Sequence, residues 1–208
     1  MTPGLERIIS AERFAPYLLA AGFDPKRALE LYLWNMRVSA AFLPMICVSE
    51  VSVRNLTAHY IARVFGSDWW RDQPFHVLVG GKGKSIVLTT AENLANNARP
   101  VTHGRMTAAL TFGFWVNMFL PRCEAALWTP LSDAFPEMPS DVDCRRLLTR
   151  LLHMQSLRNR IGHHEPIFQR NLMQDYADCL GLVRWMSAEK AAWIRPHCDV
   201  LRLMREKP

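Results

Sequence analysis

The stretch from Ser140 to Pro166 constrains the fold most, because its apolar side chains recur at the three- and four-residue spacing of an α-helix. We expect this helix to begin at Ser140, with Asp143 as a capping partner, and to end near His164, since Pro166 disfavours helical backbone just before it. Two neighbouring inward stripes are predicted: Cys144, Leu147, Leu151, Met154, Arg158 and Ile161, and Leu148, Leu152, Gln155, Asn159 and Gly162. Both stripes become polar at positions 158 and 159, where a core would otherwise continue.

Helical signals dominate the rest of the chain. Asp24-Pro25 is a typical helix start, and the segment that follows, up to Gly66, is expected to form two helical stretches, bent or broken near Pro44. Strand signals are poor, with no long alternating runs and no Asn-Gly hairpin turns. The sequence therefore predicts a single all-α domain over residues 1–208. Further helices are predicted at 85–97, 102–121, 170–186 and 187–205, with loops at 68–74 and 79–85.

The charge balance favours a polyanionic partner. The chain carries 25 Lys and Arg against 19 Asp and Glu, for a net charge of +6, and 20 of these cations are arginines. Guanidinium groups suit two-point phosphate recognition. Many proteins are this basic without binding an anion, so the charge is only a weak indication. Arg145, Arg146 and Arg150 are expected to form a basic helix face, which is usually no more than solvated surface.

The spacing of the cysteines and the hydropathy of the chain indicate its cellular compartment. Five widely spaced cysteines without a CxxC pair argue against a disulfide framework or a cysteine-based zinc site, and we expect them to be buried small hydrophobes in a reducing cytoplasm. The N-terminus lacks the order of a signal peptide. The longest apolar stretch, Ser39 to Val53, is interrupted by Pro44 and Glu50, so no membrane span is expected.

Arg158 admits two interpretations. A buried cation is costly unless an anion meets it, so Arg158 either pairs with a carboxylate inside the bundle, for which Glu50 is a candidate, or faces a cleft and binds phosphate. Asn159 and His163 lie four residues apart and therefore share one helix face beside Arg158.

The segment that contains these residues, Arg158 to Phe168 (RNRIGHHEPIF), resembles the signature of the Abi-like (abortive infection) proteins, a branch of the HEPN superfamily. The mark of that superfamily is an Arg, usually a polar residue, and a His four to six places after the Arg. Three further segments occur in the order and spacing of the family: LYLWN at 31–35, EVSVRN at 50–55 and LTFGFW at 110–115. The resemblance implies a HEPN-type helical bundle with additional helices, with its core at about 25–170 and C-terminal helices at 170–208.

The stricter pattern Arg-Asn-x-x-x-His occurs twice, at Arg158-Asn159…His163 and at Arg54-Asn55…His59. Chance accounts poorly for two copies in a chain with 8 Asn and 7 His. The second copy follows Glu50, which stands four residues before Arg54. It is interpreted either as an ion pair that holds two helices in register or as support for the site around Arg158.

The resemblance implies a metal-independent RNA endonuclease, of a phage-defence or toxin–antitoxin kind, that uses the ribose 2′-hydroxyl. Arg158 would bind phosphate, Asn159 would orient the reacting groups, and His163 would act as acid or base, with His164 as the alternative histidine. Adjacent side chains on a helix point about 100° apart, so a zinc site at 163–165 is disfavoured, and no metal or cofactor is expected. The implied partners are RNA, a second copy of the chain that supplies the second histidine, and an antitoxin or other regulator.

Two other functions remain open. The bundle is alternatively a non-catalytic HEPN-like module that binds RNA or protein, or a toxin whose activity an antitoxin controls. Residues 80–85 (GGKGKS) end like a phosphate-binding loop but lack the required first glycine, because Leu78 stands there. Trp69, Trp70 and Trp115 can stack on bases, but aromatic residues at helical spacing are more often core.

Overall fold

The computed structural model describes residues 9–96 and 100–208, and all regular secondary structure in these ranges is helical. The predicted all-α class is confirmed. The last residue of the predicted helix 85–97 lies outside the described residues. The helices are α1 (Ala11–Ala20), α2 (Pro25–Phe65), α3 (Gln73–Ala95), α4 (His103–Ala109), α5 (Phe112–Val116), α6 (Pro121–Ser132), α7 (Cys144–Gly162), α8 (Leu172–Met186), α9 (Ala188–Ile194) and α10 (Val200–Arg205), with 3-10 turns at Trp69–Arg71, Asn117–Phe119 and Arg195–His197.

Helix α2 is the central element of the bundle and contacts most other helices. Its start is as predicted, because the Asp24 carboxylate accepts hydrogen bonds from the backbone N–H groups of Lys26 and Arg27 at 2.9 and 3.3 Å. The predicted break near Pro44 is wrong, since the helix continues through it for 41 residues, about 60 Å. Buried side chains lie on both sides of Pro44, and their packing offsets the roughly 3 kcal/mol that an interior proline costs.

By length and composition, α2 is also long and apolar enough to cross a membrane. One 18-residue window has a mean hydropathy of 1.4, and 33% of it is buried within the protein. These two criteria do not establish a membrane span, and the expectation of none stays a prediction. Core helices of bundles meet the same criteria.

The predicted loop at 79–85 is correct only at Gly80 (φ 72°, ψ 174°), where a kink separates two helical stretches of α3; the rest of this segment is helical. Glycine adopts this positive φ without steric cost. The predicted loop at 68–74 contains a 3-10 turn, in which Trp69 and Trp70 are buried, as Trp115 is on α5. The interpretation of these three tryptophans as core is confirmed.

Two segments that were predicted as single helices are each divided in the structure. Thr102 caps α4, and the Thr111 hydroxyl accepts a second capping bond from the N–H of Phe114 and begins α5, because a short polar side chain that bonds to a nearby N–H group competes with helix continuation. The C-terminal segment beginning at Ser187 divides into α9 and α10 around the 3-10 turn Arg195–His197. No side-chain cap begins that turn or α10; the turn contains Pro196, which lacks the N–H group that a continuing helix needs.

Helix α7 begins at Cys144 with Asp143 as its N-cap, not at Ser140. Its buried side chains are Cys144, Leu147, Leu151, Met154, Leu157 and Ile161. Leu157, not Arg158, therefore continues the inward stripe. The second predicted inward stripe is wrong in part, because Leu152 is exposed.

Two contacts show that α7 runs antiparallel to α2. The Asn35 side-chain oxygen accepts hydrogen bonds from the backbone N–H groups of Ile167 and Phe168, whereas Glu50, farther along α2, pairs with Arg158 on α7. The C-terminal end of α7 therefore lies over the N-terminal half of α2.

All five cysteines are free thiols. Cys123, Cys144 and Cys179 are buried as expected, Cys198 is partly buried, and Cys47 is exposed, contrary to the prediction. Burial raises the pKa of the Cys144 thiol to about 11 and that of Cys179 to about 12, so neither forms a thiolate near neutral pH.

Candidate functional site

Arg158 lies at the seam between α2 and α7. Its Nε atom is 3.2 Å from a carboxylate oxygen of Glu50, and its Nη1 donates to the side-chain oxygen of Asn159 at 3.3 Å. The carboxylate partner considered from the sequence is therefore present. Arg158 is not a core cation, however, because its side chain is 46% exposed and that of Glu50 is 22% exposed. Its Nη2 group makes no hydrogen bond within the described ranges and can receive an anion.

Asn159 and His163 meet on the outer face of α7, as their spacing predicts. Both line a shallow depression of about 450 Å³, together with Ser156, Arg160 and Glu165. Arg160 and Glu165 form an ion pair of 3.2 Å across it. A hydrogen-bonded chain thus runs from Glu50 through Arg158 to Asn159 and opens on the surface that holds His163.

The two adjacent histidines occupy the C-terminal cap of α7. The His164 N–H donates to the carbonyl of Ile161 at 3.0 Å, and the Glu165 N–H donates to that of Arg160 at 2.8 Å. This is the Schellman arrangement, with His164 at the left-handed position (φ 56°) that glycine usually occupies.

Arg13 of α1 fixes this cap from outside. Its Nη1 donates to the carbonyl oxygens of His163 and His164 at 3.2 and 2.6 Å. The left-handed residue turns the chain, so the two imidazoles diverge. His163 faces the depression with Asn159, and His164 lines a separate cavity on the α2 side.

The second motif lies elsewhere on the bundle. Arg54 donates from Nε to the Asn55 side-chain oxygen at 3.2 Å, and no ion pair joins Arg54 to Glu50 among the residues that the structure describes. The predicted Glu50–Arg54 pair is therefore replaced by Glu50–Arg158. The His59 ring packs edge-on against Tyr60 at 5.2 Å.

His59 and His163 lie far apart within one chain. His59 follows Glu50 by nine residues and His163 follows Arg158 by five, in opposite directions along antiparallel helices. At 1.5 Å per residue the two rings are separated by about 20 Å along the helix pair. His59 lies instead near His103, whose pKa is lowered by burial and, to a smaller extent, by the electrostatic effect of His59.

A charged network behind the depression has no counterpart in the sequence-based predictions. The buried carboxylate of Asp178 is contacted by Arg150 at 3.2 Å, by His153 Nδ1 at 3.3 Å and by Gln174 at 3.0 Å. Arg150 also stacks over Trp185 at 4.0 Å, so it is not a free phosphate ligand. Acidic residues inside the apolar stripe of α8 were the signal that could have revealed this network.

A second buried pair links α8 to the floor of the depression. Arg170 donates two hydrogen bonds to the buried carboxylate of Asp175, from Nε at 2.8 Å and from Nη2 at 2.6 Å. Its Nη1 donates to the Ser156 hydroxyl at 3.3 Å. The hydrogen bond of Arg170 with Asp175 raises the pKa of its guanidinium. Within the described ranges, no group of three or more His, Cys, Asp or Glu side chains is arranged to hold a metal ion.

Comparison with family models, curated proteins and solved structures found no match to this chain.

Proposed function

We propose that this protein is a HEPN-type, Abi-like RNA endonuclease that cleaves RNA without a metal ion, in a phage-defence or toxin–antitoxin system in the cytoplasm. The supporting observation is the chain from Glu50 through Arg158 and Asn159 to the depression that exposes His163. Asn159 and His163 line the depression, and Arg158 donates to Asn159 from the seam with α2. The resemblance implies that Arg158 binds phosphate, Asn159 orients the reacting groups and His163 transfers a proton.

The proposed reaction needs only these groups and a base. The ribose 2′-oxygen bonds to phosphorus as its proton passes to a base, and the bond from phosphorus to the 5′-oxygen breaks as His163 protonates that oxygen. The products are a 2′,3′-cyclic phosphate and a 5′-hydroxyl. Arg158 Nη2 donates to a non-bridging oxygen and stabilises the developing charge. Asn159 holds Arg158 toward the depression.

The second histidine, which acts as the base, would come from a second copy of the chain. This part of the proposal rests on the resemblance, which implies that two such motifs meet across a dimer interface. An antitoxin or other regulator is a further proposed partner.

A cleavage assay with EDTA present tests the proposal. We expect Arg158→Ala and His163→Ala to lower the cleavage rate by about 100-fold or more, because each removes a group that acts in the transition state. The matched controls are Arg184→Ala and His197→Ala, which change exposed residues away from the depression. Cleavage by the site variants at the wild-type rate would overturn the nuclease assignment.

One observation favours the non-catalytic RNA-binding module as the second candidate. Glu50 already holds Arg158, and a carboxylate competes with phosphate for the same guanidinium. In that case no variant or wild-type protein cleaves RNA, whereas Arg158→Ala weakens RNA binding and Glu50→Gln strengthens it.

A further inference from the structure

The cavity that His164 lines is distinct from the depression around His163. It has a volume of about 440 Å³ and lies between α1, α2 and the last turn of α7. This size is within the range of small-molecule sites. Its walls combine aromatic rings, small apolar side chains and several polar groups: Tyr17, Tyr32, Asn35, Ser39, Leu43 and His164.

Asn35 gives the cavity a fixed hydrogen-bond donor. The residue is only 4% exposed, and its side-chain oxygen is held by the N–H groups of Ile167 and Phe168 at 2.8 and 3.1 Å. These two bonds fix the amide orientation. The remaining polar atom, Nδ2, has no hydrogen-bond partner in the described part of the chain, although Asn35 lines the cavity. This amide N–H opens on the cavity and can donate to an acceptor bound there.

Two phenol groups add to this polar wall. Tyr17 is 1% exposed, its ring packs edge-on against Tyr32 at 5.0 Å, and neither hydroxyl bonds to any described residue. Burial, with a smaller contribution from Tyr32, raises the pKa of Tyr17 to about 12. Its hydroxyl therefore keeps its proton at neutral pH and can donate it in a hydrogen bond.

We infer that this cavity binds a nucleobase of the RNA substrate. The inference rests on the proposed function and names the part of the substrate that the site recognises. A base is planar, stacks against aromatic rings, and presents hydrogen-bonding atoms at its edge. The fixed donor at Asn35 requires an acceptor at the edge of the base, which every nucleobase supplies as a carbonyl oxygen or a ring nitrogen.

The position of the cavity agrees with this assignment. Leu43 at its near end precedes Glu50 by seven residues, so the cavity begins about 10 Å along the seam from the Glu50–Arg158 pair. A single RNA strand along the seam places a base in the cavity while a phosphate lies at Arg158. An apolar side chain of a second copy is the competing occupant, but it would leave the Asn35 amide and both phenols without partners.

Binding of free nucleosides tests the cavity independently of the nuclease, since nucleosides carry no phosphate for Arg158. Calorimetric titration with uridine, guanosine, cytidine and adenosine should give saturable binding of at least one nucleoside. Ala40→Trp fills the cavity and should abolish binding, whereas Ala126→Trp, at an exposed alanine of α6, should not change it. Tyr17→Phe should weaken binding by about fivefold, the value of one hydrogen bond, and Arg158→Ala should leave it unchanged.

The outcomes separate this inference from the nuclease proposal. Nucleoside binding that Ala40→Trp abolishes supports the cavity assignment even if no RNA is cut, and in that case only the nuclease proposal fails. Absence of binding for all four nucleosides overturns the base site, whatever the cleavage assay gives. Equal affinity in Ala40→Trp and Ala126→Trp also overturns it. So does loss of dimers in Ala40→Trp without any nucleoside binding, because the cavity then receives a second copy.

Discussion

Replacing Asn35 by alanine tests how the segment that follows the two candidate histidines is held. The side-chain oxygen of Asn35 accepts hydrogen bonds from the backbone N–H groups of Ile167 and Phe168, and among the described residues these two groups have no other acceptor. All three residues are buried. Asn35→Ala leaves both donors without a partner. Each unsatisfied buried donor costs about 1–3 kcal/mol, so we expect the free energy of unfolding to fall by about 2–6 kcal/mol.

The assay is urea denaturation followed by tryptophan fluorescence, with thermal unfolding as a second measurement. For a chain of this length, the expected loss corresponds to a fall in Tm of roughly 4–24 °C. The control is Asn55→Ala, an exposed asparagine whose side chain bonds only to Arg54, and it should change stability by less than about 0.5 kcal/mol. Amide hydrogen exchange should accelerate at Ile167 and Phe168. A loss below about 1 kcal/mol in Asn35→Ala, equal to the control, would refute this reasoning.

Three further predictions concern the site and its surroundings. A double-mutant cycle on Glu50 and Arg158, with glutamine at each position, should give a coupling energy of about 0.5–1 kcal/mol in urea denaturation. Because the pair is partly exposed, this coupling energy should fall in 1 M salt. A coupling energy of zero would show that the pair does not form in solution. His164→Gly should raise the free energy of unfolding by up to about 1 kcal/mol, because glycine suits the left-handed cap position. An equal or lower free energy of unfolding in urea denaturation would contradict this account of the cap. Burial raises the pKa of Tyr17 from its ordinary value of 10.0 to about 12. Between about pH 10 and 12 the folded protein therefore keeps a proton that the unfolded chain loses, and the free energy of unfolding should fall as the pH rises through this range. In denaturation curves recorded across this range, Tyr17→Phe should reduce that fall, and an unchanged dependence on pH would contradict the prediction.

Local signals in the sequence were enough to predict most helices but not their continuity. Asp24, Thr102 and Asp143 all act as caps, because an N-cap bond joins a side chain to an N–H group two or three residues away. Pro44 was misleading, because α2 continues through it. Whether a helix continues through such a residue depends on packing from elements distant in the chain.

The sequence was enough to predict which residues of the candidate site lie next to one another on a single helix. Asn159 and His163 share a surface because four residues make about one turn of helix. The prediction that Arg158 points inward was wrong, since Leu157 faces the core instead. Periodicity alone allowed either position, and the rotation of α7 against α2 and α8 decides between them.

The sequence by itself determined the helical class, the caps and the grouping of Arg158, Asn159 and His163, because these depend on residues within one or two turns. The tertiary structure decided which groups meet across helices. It paired Glu50 with Arg158 instead of Arg54, placed His59 about 20 Å from His163 along the helix pair, and turned His163 and His164 toward different surfaces. The antiparallel packing of α7 on α2 fixes these distances, and local periodicity carries no information about the register between two helices.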